Sequence, residues 1–165
     1  MPPEPSNESS ENISRFEKLL VALARATIDY AVVGGVAVIL NGYPRVTVDV
    51  DILVGDSADN LRKLLDCLSG WGEGWARELR VEDFAPAEGS IRVMEDFDLD
   101  IFTRMGGKSL DDFRARLRHL NAGDVRIPYL SAPDLILLKE RSWREKDQMD
   151  VAALRAILAE GGGKD

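Results

Sequence analysis

The sequence predicts an α+β fold in which helices flank a mixed β-sheet within a single domain. Three observations support this prediction. The chain has 165 residues, the length of one ordinary domain, and 45% of them are hydrophobic, which is enough for a buried core. Segments with the two-residue period of strands alternate with segments whose apolar residues have helical spacing. The sequence contains no internal repeat.

The first half of the chain is predicted to form a tail followed by five elements. Residues 1–11 are rich in Pro, Ser, Asn and Glu, a composition typical of a disordered tail, so the domain is expected to cover residues 12–160. Apolar spacing and flanking turn residues then predict a helix over 13–27, a strand over 30–33, a short helix over 36–42 that Gly42 closes, a strand over 46–54 and a helix over 57–69.

The second half of the chain is predicted to contain further strands and three helices. Glycines within residues 70–75 indicate a loop, and Ser109 with Asp112 forms the capping box that begins a helix. The predicted order is two or three strands within 78–84, 90–94 and 97–103, a helix over 109–120, a short strand over 124–130 and two C-terminal helices within 131–160.

Composition argues against several classes of protein. The net charge of −8, from 21 basic and 29 acidic residues, disfavours binding to nucleic acid and to anionic membranes. A single cysteine, Cys67, allows no internal disulfide, and a single histidine, His119, disfavours a structural zinc site. The apolar runs are too short to span a bilayer, and the N-terminus lacks the features of a signal peptide. We therefore expect a cytoplasmic protein without a membrane partner.

Two aspartates lie side by side on the polar face of the predicted strand over 46–54. Asp49 and Asp51 are two residues apart, so both carboxylates leave the same face, about 7 Å apart at the backbone. Like charges repel, and a divalent cation such as Mg²⁺, which prefers oxygen ligands, would relieve that repulsion. A strand face that is simply half-solvated is the alternative.

A second strand with carboxylates follows at residues 97–103. Asp96, Asp98 and Asp100 alternate with apolar residues and share one face. If this strand lies beside the first, a third carboxylate reaches the metal site, an arrangement suited to in-line displacement at phosphorus. A solvated edge strand, whose charges discourage aggregation, is the alternative.

A pair of glycines, Gly34 and Gly35, directly follows a predicted strand and opens a helix. Glycine lets the backbone approach a ligand closely, and a helix N-terminus offers free N–H groups to phosphate. An ordinary turn is the alternative for this pair. In combination with the carboxylate strands, the pair indicates a nucleoside triphosphate as ligand.

Residues 33–54, VGGVAVILNGYPRVTVDVDILV, resemble the DNA polymerase β-like nucleotidyltransferase superfamily. The shared pattern is an apolar residue before Gly-Gly or Gly-Ser, about a dozen residues, two aspartates alternating with apolar residues, and a third carboxylate strand. Within the superfamily, the chain resembles small prokaryotic nucleotidyltransferases related to abortive-infection toxins of type IV toxin–antitoxin systems. Residues 131–154, with a lysine on one helix and KDxxD opening the next, support this resemblance, which covers about residues 28–160.

The resemblance implies a nucleotidyltransferase fold and a set of metal ligands. Asp49 and Asp51 would bind the metal ions, Mg²⁺ or Mn²⁺, and Asp100 would be the third carboxylate, which activates the acceptor hydroxyl. Asp98 shares the face of Asp100 and is the fallback for this role. One position departs from the family: Val36 stands where the family often has Ser or Thr, whose hydroxyl contacts phosphate.

Five further residues are implied to bind the nucleoside triphosphate. They are Gly34, Gly35, Arg45, Thr47 and Lys139. Simpler interpretations stay open: the arginine as an ion-pair partner of the two aspartates, and the lysine as a solvated surface charge. Asp147 and Asp150 lie in the first turn of the last predicted helix, where acids are favoured by the helix dipole.

The resulting hypothesis is an enzyme that moves a nucleoside monophosphate from a nucleoside triphosphate to a hydroxyl acceptor with release of pyrophosphate. The acceptor would be a protein, an RNA end or a small molecule such as an aminoglycoside. The resemblance also implies a toxin–antitoxin setting with a cognate partner protein. The alternative is a catalytically inactive binding or regulatory module of the same fold, which Val36 and the lack of an obvious second domain for the acceptor favour.

Overall fold

A computed structural model of the protein describes residues 7–71, 74–84, 88–94 and 98–161. Its helices are α1 (Asn7–Arg25), α2 (Gly34–Leu40), α3 (Ala58–Ser69), α4 (Ala132–Lys139) and α5 (Glu145–Gly161). Its strands are β1 (Tyr30–Val33), β2 (Asp49–Val54), β3 (Ser90–Met94), β4 (Asp98–Phe102), β5 (Arg118–Ala122) and β6 (Val125–Tyr129).

The described strands form one mixed sheet in the order β3-β4-β2-β1-β6-β5. The strand β2 lies inside the sheet, antiparallel to β1 and parallel to β4. The strand β1 runs parallel to β6, while β3 and β5 form antiparallel pairs at the two edges. This mixed sheet with its flanking helices confirms the predicted fold class.

Apolar side chains from the helices and from the inner strands form the core. Phe16, Leu19 and Leu23 lie on one face of α1 and are at most 1% exposed, and all four residues of β1 are buried. The helix α1 packs on β6 and α3, and α2 packs on β2 and α4. The core therefore holds β1 and β2 rigidly at the place where the predicted site residues emerge. Within the described residues, no helix is both long and apolar enough to cross a membrane.

The strand predicted over 46–54 is wrong in its first three residues, because β2 begins at Asp49. Val46 and Val48 are 57% and 68% exposed, whereas Thr47 between them is buried. The described pairings of β2 with β1 and β4 begin only at Asp49, so no neighbouring strand orients the three earlier residues. The Thr47 hydroxyl instead donates a hydrogen bond to the Asp49 carbonyl at 3.1 Å, which turns the polar side chain inward.

The strand predicted over 78–84 is also wrong. The chain there forms two short 3₁₀ helices, Trp75–Glu78 and Val81–Asp83. The carboxylate of Asp83 accepts a hydrogen bond from the backbone N–H of Arg80 at 2.8 Å. This local cap stabilises a turn where the alternation of residues favours a strand.

The helix predicted over 109–120 forms only at its start. The capping box is present, since the Ser109 N–H donates to the Asp112 carboxylate at 2.9 Å. The helix does not continue: 3₁₀ turns including Arg114–Arg116 lead directly into β5. Pairing of β5 with β6 across the turn at Gly123, whose φ is +63°, outweighs the local helical spacing.

The first helix begins earlier than predicted. Because α1 starts at Asn7, residues 7–11, which the sequence assigned to the tail, are helical. The rest of the predicted tail, residues 1–6, lies outside the described residues, as do the loop residues 72–73, Asp96, and Phe97 at the start of the strand predicted over 97–103.

Candidate active site

The parallel pairing of β2 with β4 brings the predicted carboxylates together. Asp51 lies opposite Asp100 in this pairing, and Asp49 lies opposite Asp98. One carboxylate oxygen from each of Asp49, Asp51 and Asp100 lies within 4.8 Å of the other two. These three residues are called the aspartate triad below. Asp98 is not a member of the triad, and its carboxylate accepts a hydrogen bond from Arg92 at 3.1 Å.

The three carboxylates of the aspartate triad repel one another, and a bound cation would relieve this repulsion. Burial, together with the neighbouring charges of Asp49 and Asp100, raises the pKa of Asp51 from its usual 3.8 to about 7, although Lys139 opposes this shift. A donor set of three carboxylates suits a hard divalent cation such as Mg²⁺ or Mn²⁺. The residues present therefore fit such an ion.

Arg92 of β3 is a site residue that was not predicted from the sequence. It lies opposite Asp100 in the pairing of β3 with β4. Its Nε and Nη2 donate to the two carboxylate oxygens of Asp100 at 2.8 and 2.9 Å, and these hydrogen bonds raise the pKa of the guanidinium. The sequence did contain a signal, because Ile91 and Val93 flank the arginine within a predicted strand. That alternation places Arg92 on a polar face, where a neighbouring carboxylate strand can meet it.

The two glycines after β1 bring the backbone close to the triad. Gly34 has a φ of +64°, and a Cβ atom at this position would overlap Oδ2 of Asp51. A Cβ atom at Gly35 would lie 2.7 Å from Nη2 of Arg45. Gly34 therefore needs glycine for its left-handed backbone and its close approach to the site, whereas the contact at Gly35 is with the flexible end of the Arg45 side chain. The adjacent Val36 is fully buried in the core, which accounts for an apolar residue there.

We expect Gly34→Ala to lower the free energy of unfolding by about 3 kcal/mol or more, because left-handed backbone and overlap with Asp51 both oppose a methyl group. Gly123 is the matched control, since its φ is +63° and a Cβ atom there meets nothing within 4 Å. Gly123→Ala should therefore cost only about 1 kcal/mol. Urea denaturation of both variants measures the difference. Equal losses would show that Asp51 moves aside for the added methyl group.

A buried carboxylate, Asp150 of α5, holds two of the predicted phosphate-binding cations. Nη2 of Arg45 donates to Asp150 Oδ2 at 3.0 Å, and Nε of Arg45 lies 2.9 Å from Oδ1. Nζ of Lys139 donates to the same carboxylate at 3.0 Å and to Asp147 at 2.9 Å. Asp150 is fully buried, and the Lys139 side chain is only 14% exposed. Asp150 is thus an ion-pair partner for both cations, a role that its position near a helix start did not indicate.

The eight residues nominated from the sequence line one cleft with a volume of about 240 Å³. Its lining consists of Gly34, Gly35, Arg45, Thr47, Asp49, Asp51, Arg92, Asp100, Phe102, Lys139, Arg144, Lys146 and Asp147. Asp98, the fallback for the third carboxylate, does not line it. The aspartate triad and four basic residues other than Arg92 therefore share one cavity, which suits a cation together with a polyanion.

Residues 13–158 match the model of a protein family described as nucleotidyltransferases of unknown function, DUF6036. The chain belongs to this family. Nucleotidyltransferase membership confirms the broader resemblance drawn from the sequence, while the link to abortive-infection toxins stays a prediction. No curated protein matches the sequence significantly.

Solved structures share the nucleotidyltransferase fold with this family member at low sequence identity. The lincosamide antibiotic adenylyltransferase LnuA, crystallised with lincomycin, has a TM-score of 0.61 and 19% identity, covering 87% of this chain and 96% of its own. A protein of Thermotoga maritima assigned as a nucleotidyltransferase has a TM-score of 0.54 and 18% identity, covering 92% and 94%. An antigenic nucleotidyltransferase-like protein of Paracoccidioides brasiliensis has a TM-score of 0.52 and 18% identity, covering 92% and 77%.

Proposed function

We propose that the protein is a metal-dependent nucleotidyltransferase that transfers a nucleoside monophosphate from a nucleoside triphosphate to a hydroxyl acceptor and releases pyrophosphate. The observation that carries this proposal is the aspartate triad, whose oxygens lie within 4.8 Å of one another in a cleft. Membership of a nucleotidyltransferase family supports it.

The triad residues would hold the cation, Mg²⁺ or Mn²⁺, through Asp49, Asp51 and Asp100. A bound cation supplies neutralisation of the charge that develops on the α-phosphate and on the leaving pyrophosphate. In the transfer, the acceptor oxygen bonds to the α-phosphorus while the bond from that phosphorus to the bridging oxygen of pyrophosphate breaks. Asp100 accepts the proton of the acceptor hydroxyl.

The triphosphate would lie across the part of the cleft that carries positive charge. Arg45 and Lys139 line this part, and Asp150 holds both in place. Gly34 and Gly35 leave the neighbouring backbone open to phosphate oxygens, and Thr47 lies beside Asp49 with its hydroxyl 3.2 Å from the carboxylate. Arg144 and Lys146 of the same lining add further positive charge for the polyanion.

A small molecule is the first class of acceptor to screen. The lincosamide adenylyltransferase that shares this fold was crystallised with its antibiotic bound, which supports this choice. A protein or an RNA end as acceptor, a toxin–antitoxin setting with a cognate partner protein, and a cytoplasmic location stay predictions from the sequence.

Calorimetric titration of ATP, GTP, CTP and UTP in the presence of Mg²⁺ or Mn²⁺ tests the proposal. The wild-type protein is expected to bind at least one triphosphate only when the metal is present. The Asp49→Asn/Asp51→Asn double variant should lose this binding. Asp98→Asn is the matched control, because Asp98 lies on the same strand as Asp100 and outside the triad, so binding should persist.

The same titration decides between the enzyme and the inactive module. Val36 favours the module, because a buried valine offers no hydroxyl to phosphate. Failure of all four triphosphates to bind with either metal would contradict the enzyme and favour the module. Loss of binding in Asp98→Asn but not in Asp100→Asn would instead move the third carboxylate to Asp98.

A further inference from the structure

The guanidinium of Arg92 occupies space between two carboxylates of the aspartate triad. Its Nη2 donates to Asp100 Oδ2 at 2.9 Å and lies 3.6 Å from Asp49 Oδ2. Its Nε binds the other oxygen of Asp100 at 2.8 Å, so both oxygens of this carboxylate are engaged. A single positively charged nitrogen thus bridges two of the three carboxylates that converge.

Bridging distinguishes this arrangement from an ordinary supporting contact. A side chain that merely orients a metal ligand binds the ligand on the side away from the metal. Nη2 of Arg92 instead contacts Asp49 and Asp100 together, as a shared cation does. Both oxygens of Asp100 already accept hydrogen bonds from the guanidinium, and a metal ion between Asp49 and Asp100 would be repelled by the positively charged Nη2 that contacts both, so the two cations compete for this position.

The position of Arg92 also allows its side chain to move away from Asp49 and Asp100. β3 is an edge strand of the described sheet, and the Arg92 side chain is 48% exposed. Its third contact, from Nη1 to Asp98 at 3.1 Å, lies outside the triad and can persist when Asp100 is released. An exposed arginine on an edge strand can change rotamer without disturbing the core.

We propose that Arg92 is the built-in counter-cation of the aspartate triad, and that a divalent metal binds only when Arg92 releases Asp49 and Asp100. Arg92 therefore sets the metal affinity of the site. This inference rests on the proposed function, because it assumes that the triad is a metal site.

Titration of the nucleotide-free protein with MgCl₂ and MnCl₂ tests the inference. Arg92→Gln is expected to bind metal about tenfold more tightly than the wild type, which corresponds to a wild-type population of only about one tenth in which Arg92 has released Asp49 and Asp100. Arg92→Lys keeps the charge but loses the two-pronged contact, so its affinity should fall between the two. Arg62→Gln is the control for loss of one positive charge, since Arg62 pairs with Asp59 on α3 and does not line the cleft.

A measurement on the wild-type protein guards against misfolding of the variants. The Nε–Hε resonance of Arg92, assigned by its absence in Arg92→Lys, should shift when MgCl₂ is added, because its hydrogen bond to Asp100 breaks. An unshifted resonance at saturating Mg²⁺ would overturn the inference.

The affinities separate failure of the inference from failure of the proposed function. Equal or weaker metal binding by Arg92→Gln, with binding abolished in Asp51→Asn, would overturn the counter-cation role and leave the metal site standing. Failure of both the wild type and Arg92→Gln to bind either metal would overturn the inference and the proposed metal site together.

Discussion

Asp51→Asn is expected to raise the free energy of unfolding of the metal-free protein at pH 8 by about 2–4 kcal/mol and to abolish its binding of divalent cations. In the folded protein, burial and the charges of Asp49 and Asp100 raise the pKa of Asp51 from 3.8 to about 7. The unfolded chain loses this proton near pH 4, whereas the folded chain keeps it up to about pH 7. The ionised carboxylate therefore destabilises the fold increasingly as pH rises through that window, and asparagine removes the cost.

Urea denaturation in EDTA at pH 5 and pH 8 measures this effect. The gain in stability from Asp51→Asn should be less than half of its full size at pH 5 and reach its full size at pH 8. Asp98→Asn is the control, because Asp98 lies on β4 outside the triad and pairs with Arg92. A gain that does not depend on pH would contradict the electrostatic origin.

Addition of MgCl₂ should reverse the order of the two proteins. A ligand that binds only the folded state stabilises it in proportion to the logarithm of its concentration above Kd. The wild type should gain stability with Mg²⁺, whereas Asp51→Asn should not respond. A response of the wild type alone would show that Asp51, which destabilises the metal-free fold, binds the metal ion. Equal responses of the two proteins would show that the ion binds elsewhere.

Asp150→Asn is expected to lower the free energy of unfolding by about 3–5 kcal/mol, the usual effect of removing one partner from a buried ion pair. Asp150 is fully buried and contacts Arg45 and Lys139, whose side chains are only 13% and 14% exposed. Loss of its charge leaves both cations poorly solvated. Asp147 retains one contact to Lys139, so Arg45 should account for most of the loss.

Urea denaturation of Asp150→Asn beside Glu140→Gln provides the comparison. Glu140 pairs with Arg155 at 3.4 Å, and both side chains are well exposed, so its replacement should cost at most about 0.5 kcal/mol. Arg45→Met in the Asp150→Asn background should recover part of the loss by removing the unpaired cation. A loss below about 1 kcal/mol for Asp150→Asn would show that water reaches both cations and replaces the carboxylate.

Parts of the fold and of the site could be predicted from the sequence because they depend only on a residue and its neighbours in the chain. β1 was predicted with its observed bounds, because a short buried run between turn residues leaves few alternatives. The spacing of Asp49 and Asp51 placed both on one strand face, and Gly34 was singled out for close backbone approach. The two-residue period and the absence of a Cβ atom are properties of single residues and their neighbours.

The errors fall where long-range pairing decides the structure. Residues 109–120 have helical spacing, yet their second half forms β5 because β6 is available to pair with it. Val46 and Val48 continue the alternation of β2, yet they are exposed because the described pairings of β2 begin only at Asp49. Hydrogen bonds to another strand outweigh local preference at β5, whereas Val46 and Val48 have no described partner strand and the local hydrogen bond from Thr47 to Asp49 decides their orientation.

The sequence by itself determined the alternation of strands and helices, the two adjacent aspartates and the paired glycines, because each follows from local stereochemistry. Only the tertiary structure decided that Asp100 rather than Asp98 completes the triad, and that Arg92 and Asp150 belong to the site. These assignments depend on the register of β4 against β2 and β3, and on the packing of α5 against α4. Strand register and helix packing are set by the whole core, which minimises exposed apolar surface over all elements at once.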